Sequence, residues 1–237
     1  MARQSKIKEP TYKCRFCDKV YKKEETIITH KCIKRDRYNE RDSRHMREAF
    51  RLYLQFMQVQ KLSMKKDVEP LMHFIKSSYF NDFYNFATYI LNNDILNKEQ
   101  FITNIFTSGK PVYEWCTHKT LEEWVLKCVR DEHPRRGVER SIPALLEWSE
   151  QTGHDWNKFF DYASVECAIL WLECGKISPW LIYIAPPESG NKLLNRFSDS
   201  ELEYALKFID PTYFQIKQIK YSKDCNEIRI LLKEAGL

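Results

Sequence analysis

Four residues near the N-terminus have the types and the spacing of metal ligands. Cys14 and Cys17 form a C-x2-C pair, so that one tight turn can bring both thiolates to the same ion. Twelve residues separate Cys17 from His30, and Cys32 comes two positions later. Three sulfurs and one imidazole nitrogen are a donor set that zinc binds at tetrahedral angles. The sequence therefore predicts a Zn2+ site formed by Cys14, Cys17, His30 and Cys32.

The apolar residues around these ligands are spaced as in the small ββα zinc finger. Tyr12 precedes Cys14 by two positions, Tyr21 follows Cys17 by four, and Ile27 precedes His30 by three. In that fold an aromatic and an aliphatic side chain pack beside the ion, and the metal supplies most of the stability. We therefore predict a ββα-like finger over residues 1–34.

The H-x-C ending departs from the ββα finger, in which three to five residues usually separate the last two ligands. Positions two apart on a helix differ by about 200°, so His30 and Cys32 cannot both face one ion from regular helix. We expect the helix to end at His30 and Cys32 to fold back after it. His45 is a weaker substitute for the fourth ligand.

Positive charge is concentrated in the N-terminal fifth of the chain. Residues 1–51 hold 8 Lys and 8 Arg against 8 acidic residues, a net charge of +8, whereas the remainder has 22 basic and 25 acidic residues. A basic segment can attract phosphates. The residues that could contact nucleic acid are Lys13, Arg15, Lys22, Lys23, Thr26, Lys31, Lys34, Arg35 and Arg37.

One finger gives limited support for sequence-specific DNA recognition, because a finger covers only about three base pairs. The positions that face bases correspond to Lys23, Thr26 and Thr29, of which the lysine could meet guanine. Acidic residues interleave with the arginines of 35–45, which favours a solvated charged linker over a phosphate-contacting arm. A protein-contacting or structural finger is therefore favoured, and DNA contact is the alternative.

From Met46 onward the apolar residues recur with the period of a helix. Pro70 indicates the first turn of a helix, and capping boxes are expected at Asn97, Thr120 and Ser198. Helices over 142–152 and 161–174 should end at Gly153 and Gly175. We predict an all-α, multi-helix domain over 46–237 with about eight or nine helices.

No motif nominates a catalytic residue. The phosphate-binding, dinucleotide-binding, zinc-protease and nucleophile-elbow patterns are absent from the sequence. Cys116, His118, Cys128 and His133 lack the tight spacing of a second metal site, and buried thiols are the favoured interpretation. The segment "EHPRRGVER" is interpreted as a basic loop. We expect a protein that is not an enzyme.

Four stretches together resemble a protein family of T4-like tailed phages. They are "CRFCDKVYKKEETIITHKCIKRDRY", "SSYFNDFYNFATYI", "GKISPWLIY" and "FIDPTYF" with the terminal "LLKEAGL". The family similarly joins one N-terminal zinc finger to a helical body, and it is associated with assembly of the baseplate hub. The resemblance implies zinc ligation by Cys14, Cys17, His30 and Cys32, and it implies no catalytic position.

These observations define two expected functions. The first is a non-enzymatic assembly factor that contacts phage structural or assembly proteins in the host cytoplasm. The second is a DNA-binding accessory protein, such as a helicase loader or late transcription factor, that uses the basic N-terminal region. Membrane association is not expected, because no run approaches about 18 apolar residues and the start "MARQSKIKEP" has no apolar signal segment.

Overall fold

The computed structural model describes residues 11–64 and 67–237. The first ten residues of the predicted finger, which are also the start examined for a signal segment, lie outside this range. Two short strands, β1 (Tyr12–Lys13) and β2 (Val20–Tyr21), pair antiparallel with Tyr12 opposite Tyr21. Helix α1 (Glu24–Thr29) follows them. The ββα-like element is therefore confirmed in the described residues.

After α1, every regular secondary-structure element of the described residues is a helix, which confirms the predicted fold class. Two short 3-10 helices lie at Val112–Glu114 and Trp156–Lys158. The α-helices after α1 are α2 (Ile33–Asn39), α3 (Arg44–Val59), α4 (Pro70–Lys76), α5 (Phe80–Asn92), α6 (Lys98–Thr107), α7 (His118–Asp131), α8 (Pro134–Thr152), α9 (Phe159–Tyr162), α10 (Val165–Glu173), α11 (Pro179–Ile184), α12 (Pro187–Leu194), α13 (Asp199–Ala205), α14 (Pro211–Lys220) and α15 (Ser222–Glu234).

The described helices outnumber the predicted eight or nine, because segments read as connections form short helices of their own. Several begin at a proline, as α11 does at Pro179 and α14 at Pro211. Proline suits the first helical position, since its fixed φ matches the helix and its missing N–H would have no partner there. Pro179 and Pro211 therefore mark helix beginnings that were not assigned from the sequence.

The interpretation of "EHPRRGVER" as a loop is wrong, because most of this segment forms the first turns of α8. Its helix begins at Pro134, and His133 Nδ1 accepts a hydrogen bond of 3.3 Å from the backbone N–H of Arg135. The helix then runs to Gly153, which adopts φ 74° as the expected C-cap. The predicted range 142–152 is therefore only the second half of this helix.

The predicted capping box at Thr120 is wrong, because α7 begins earlier in the sequence. The N-cap is Thr117, whose hydroxyl accepts a bond of 3.3 Å from the backbone N–H of Thr120. Thr120 itself is buried inside the helix. At Ser198 the expected capping box with Glu201 is present and is confirmed.

The chain divides into two compact units. The first comprises the described residues up to Asn93 together with Ile102–Cys116, and the second comprises Asp94–Phe101 and Thr117–Leu237. In the first unit α3 packs along α5, and aromatic rings fill the core, with Phe86 and Trp115 centroids 5.2 Å apart. In the second unit Trp180 packs edge-on against Phe214 at 5.1 Å. The predicted boundaries at residues 34 and 45 stay a prediction.

Candidate metal centre

The turn between β1 and β2 places Cys14 and Cys17. The backbone N–H of Cys14 donates to the carbonyl of Lys19, and the N–H of Asp18 donates to the carbonyl of Cys14, both at 2.9 Å. Asp18 adopts φ 61°, a left-handed conformation that aspartate tolerates better than most residues. The chain therefore reverses within a few residues and brings both thiols to one side of the turn.

Two helix ends place His30 and Cys32. Helix α1 ends at Thr29, and His30 is its C-cap residue with extended backbone angles, φ −66° and ψ 134°. Cys32 is the N-cap residue of α2. The expected end of the helix at His30 is thus confirmed, and the extended backbone at His30 and Cys32, between the two helices, lets ligands only two positions apart face the same point.

The four donor atoms lie close together. Cys14 Sγ is 3.9 Å from Cys32 Sγ, and Cys17 Sγ is 3.6 Å from His30 Nε2. All four atoms lie within 4.8 Å of one another. The other ring nitrogen of His30, Nδ1, is 2.9 Å from the carbonyl oxygen of Ile27, an arrangement that leaves Nε2 free to act as a ligand. This cluster could hold a metal ion.

The surroundings of Cys17 and Cys32 shift the pKa values of these two thiols in opposite directions. A hydrogen bond from the backbone N–H of Lys19 holds the pKa of Cys17 below its usual value. Burial raises the pKa of Cys32, although a hydrogen bond from the backbone N–H of Arg35 opposes that effect. Amide donors directed at sulfur are the outer partners that bound thiolates need, and a cation offsets the cost of a buried negative charge.

Apolar side chains cover the cluster. Phe16 is buried with Cys14 and Cys32, and its ring lies 5.3 Å from that of Tyr38. The ring of Tyr21 lies 5.0 Å from the His30 imidazole. Phe16 and Tyr38 were not singled out from the sequence, since their only signal is an aromatic residue within a charged segment.

Helix α2 joins the metal cluster to α4 within the first unit. Arg37 of α2 donates to the carbonyl of Ile75 at 3.2 Å and to Asn81 Oδ1 at 2.9 Å. Its guanidinium carbon lies 3.9 Å from the centre of the Phe80 ring. In the turn of the finger, Asp18 accepts a bond of 2.6 Å from Lys76 Nζ. The finger therefore packs against neighbouring helices of its own unit.

The nine predicted nucleic-acid contacts differ in their surroundings. Arg37 is engaged as described, Arg35 reaches the carbonyl of His30 at 3.4 Å, and Lys34 is half-buried. Lys13 pairs with Asp18 at 3.2 Å, and Arg15 lies over the Phe16 ring. The other four residues, Lys22, Lys23, Thr26 and Lys31, are exposed. A role for these residues in binding nucleic acid stays a prediction.

The other candidate ligands lie elsewhere. His45 is on α3, with its ring 6.2 Å from that of Tyr84. Within the described residues, the metal-type cluster found is that of Cys14, Cys17, His30 and Cys32. Burial raises the pKa of Cys116 to about 11 and also raises that of Cys128. These thiols are protonated at neutral pH, as packed structural cysteines are.

Comparison of the chain with protein-family models, with curated proteins and with solved structures finds no match. In the part of the chain that the structure describes, no helix combines the length and the apolar character that crossing a membrane requires.

Proposed function

We propose that the chain is a non-enzymatic zinc-finger assembly factor that works through protein–protein contacts. The metal is Zn2+, because three thiols and one imidazole form its preferred donor set. Ideal tetrahedral zinc places two thiolates about 3.8 Å apart and a thiolate and an imidazole nitrogen about 3.6 Å apart. The observed separations of 3.9 and 3.6 Å agree with these values. Zinc would stabilise the finger and keep α2 in place.

Exposed aliphatic side chains on the finger carry the proposal of protein contact. Val20, Ile28 and Ile33 are 57%, 67% and 70% exposed, although the whole finger buries few apolar residues. Branched aliphatic side chains gain from contact with another apolar surface and gain little from a phosphate backbone. Glu24 and Glu25 also occupy the first turn of α1, where they would repel phosphates.

The resemblance to T4-like phage proteins suggests the partners and the place of action in this proposal. The partners would be phage structural or assembly proteins, contacted in the host cytoplasm while the tail baseplate hub is built. An assembly factor of this kind binds its partners transiently, so it needs accessible contact surfaces and no active site.

DNA binding is the second candidate. The observation in its favour is the exposure of Lys22, Lys23 and Lys31 on a finger within a basic N-terminal region. A DNA-binding accessory protein would lose affinity steeply with added salt, because each neutralised phosphate releases counterions. The engagement of Arg37 with Phe80 and Asn81 leaves fewer basic groups for that role.

Affinity purification from cells infected with a T4-like phage distinguishes the assembly factor from the DNA-binding protein. We expect the tagged wild-type chain to recover tail or hub proteins, identified by mass spectrometry after nuclease treatment. The double variant Ile28→Ser, Ile33→Ser should lose them, since it removes exposed apolar area without disturbing the ligands. The matched variant Lys22→Ala, Lys23→Ala should retain them.

Recovery of replication proteins alone would contradict the assembly proposal, as would loss of the tail proteins only in the lysine variant. Titration of labelled DNA at two salt concentrations then separates the alternatives. Absence of DNA binding at low salt would exclude the second candidate.

A further inference from the structure

Helix α14 presents apolar residues on two opposite sides. Phe214 is buried in the second unit, whereas Ile216 and Ile219 are 65% and 79% exposed. Ile216 lies about 200° around the helix from Phe214, and Ile219 is its neighbour at i+3 on the outer side. A surface helix ordinarily buries one apolar stripe and keeps the opposite side polar. The outer stripe of α14 is therefore available to a partner.

A groove lies beside this stripe, between α14 and α15. Its volume is about 440 Å³. Buried Cys225 contributes to its lining, together with Ile219, and Gln218, Asn226 and Arg229 supply polar groups. A shallow groove that combines apolar surface with hydrogen-bonding groups can receive one side of an amphipathic helix.

The charges around the groove are mainly positive. Lys220 and Lys223 are exposed, and Arg229 bonds to the neutral amide of Asn226 at 3.0 Å. Of the acids on α15, Asp224 Oδ2 lies 3.5 Å from His133 Nε2, and Glu227 forms an ion pair of 3.1 Å with Arg135 of α8. A second copy of this surface would bring like charges together, which disfavours self-association. Acidic residues would complement the surface.

We propose that this α14 face, defined as Ile216, Ile219, Lys220, Lys223 and Arg229, docks an amphipathic helix with acidic flanks from a partner protein. Apolar side chains of the partner, spaced at i and i+3 or i+4, pack on the two isoleucines. Partner carboxylates meet the lysines and the fork of Arg229, which can bind a carboxylate with two parallel hydrogen bonds. This second contact surface requires neither the finger nor its metal.

A designed peptide tests the α14 face directly. The probe is a fluorescently labelled, 18-residue helical peptide with leucines on one side and glutamates on both flanks. We expect wild-type protein to raise its fluorescence anisotropy and Ile216→Ser, Ile219→Ser to bind it at least tenfold more weakly. Leu170→Ser is the matched control, because Leu170 is an exposed aliphatic residue of α10 in the same unit. The melting temperatures of the isoleucine double variant and of Leu170→Ser, measured by circular dichroism, should be equal.

A charge exchange provides the second arm. Lys220→Glu, Lys223→Glu should weaken binding of the acidic peptide and should restore binding to a peptide in which lysines replace the glutamates. Failure of the wild-type protein to bind the acidic peptide would overturn the proposal, as would equal binding by the isoleucine variant. Binding of phosphatidylserine vesicles in place of the peptide, or a dimer dissociated by Ile219→Ser, would assign the face to another occupant and would also overturn it.

Discussion

The side chain of Arg37, one of the residues predicted to contact nucleic acid, makes contacts within its own unit. In the sequence it belongs to a basic run that could meet phosphates. In the structure its planar guanidinium lies on the Phe80 ring and donates to Ile75 and Asn81. Guanidinium–aromatic stacking and hydrogen bonds from a charged donor each add to stability when partly buried. Arg37 therefore fastens α2 to its own unit.

Replacement of Arg37 by alanine should loosen α2. We expect Arg37→Ala to lower the free energy of unfolding by about 1–2 kcal/mol, from the lost stacking and hydrogen bonds. Hydrogen exchange of the α2 amides should also become faster, and this is measured by mass spectrometry on peptides covering residues 33–39. Arg37→Lys should recover only part of the effect, since lysine lacks the planar fork.

Arg47→Ala is the matched control, because Arg47 is an exposed arginine of the neighbouring helix α3. Its effect should stay within about 0.5 kcal/mol. Equal exchange rates of α2 in Arg37→Ala and Arg47→Ala would contradict the role assigned to Arg37.

The metal-type residues were predictable because their signal is local. Cys14 and Cys17 lie in one turn, and the short H-x-C spacing itself predicted a helix end at His30. The packing of Phe16 on Tyr38 and of Arg37 on Phe80 was not predictable. Those partners lie 22 and 43 positions away in the sequence, and nothing in either segment specifies the other.

At the scale of elements, α8 depends on a close approach between segments. Gly137 lies inside this helix, where a Cβ atom would come within 2.6 Å of Ser178 Oγ and 2.8 Å of Trp180 Cδ1. The hydroxyl of Ser141 donates to the carbonyl of Gly137 and accepts from the backbone N–H of Ser178, both at 2.8 Å. Glycine is therefore used here for space, in spite of its low helix propensity.

Substitution of Gly137 by alanine should destabilise the protein. Helix propensity alone would favour alanine by about 1 kcal/mol. The overpacking against Ser178 and Trp180 should outweigh this gain and leave a net loss of about 1–3 kcal/mol. Thermal unfolding followed by circular dichroism measures the effect.

Glu139→Ala changes an exposed residue of the same helix and should move the melting temperature little. A melting temperature of Gly137→Ala equal to or above that of the wild-type protein would show that the two segments do not approach each other as described.

Some helix ends could be predicted from the sequence and others could not. Gly153 and Ser198 carry local cap chemistry, so both ends were predicted correctly. The first half of α8 was read as a loop, because Pro, Arg and Gly in succession resemble a turn. The segment begins with Pro134 at the first helical position after the His133 cap, and it packs on Ser178 and Trp180, about forty positions later in the chain. Tertiary contact overrides local preference there.

At the scale of the whole molecule, each unit has its own core and its own proposed contact surface. The first unit holds the candidate metal centre and the exposed aliphatic residues Val20, Ile28 and Ile33. The second unit holds the α14 face. The helical class was predictable from the apolar period, which extends over most of the chain. The division into two units was not, since it depends on which helices pack together.

The measurement that tests the account most directly is the metal content of the purified chain, from native mass spectrometry and elemental analysis. We predict one zinc ion per wild-type chain, and the same in His45→Ala, because His45 lies beside Tyr84 away from the cluster. Cys14→Ser and Cys17→Ser should each lose stoichiometric zinc, since each removes one of four ligands. A wild-type chain without bound zinc, or full retention of zinc in both cysteine variants, would contradict the zinc centre.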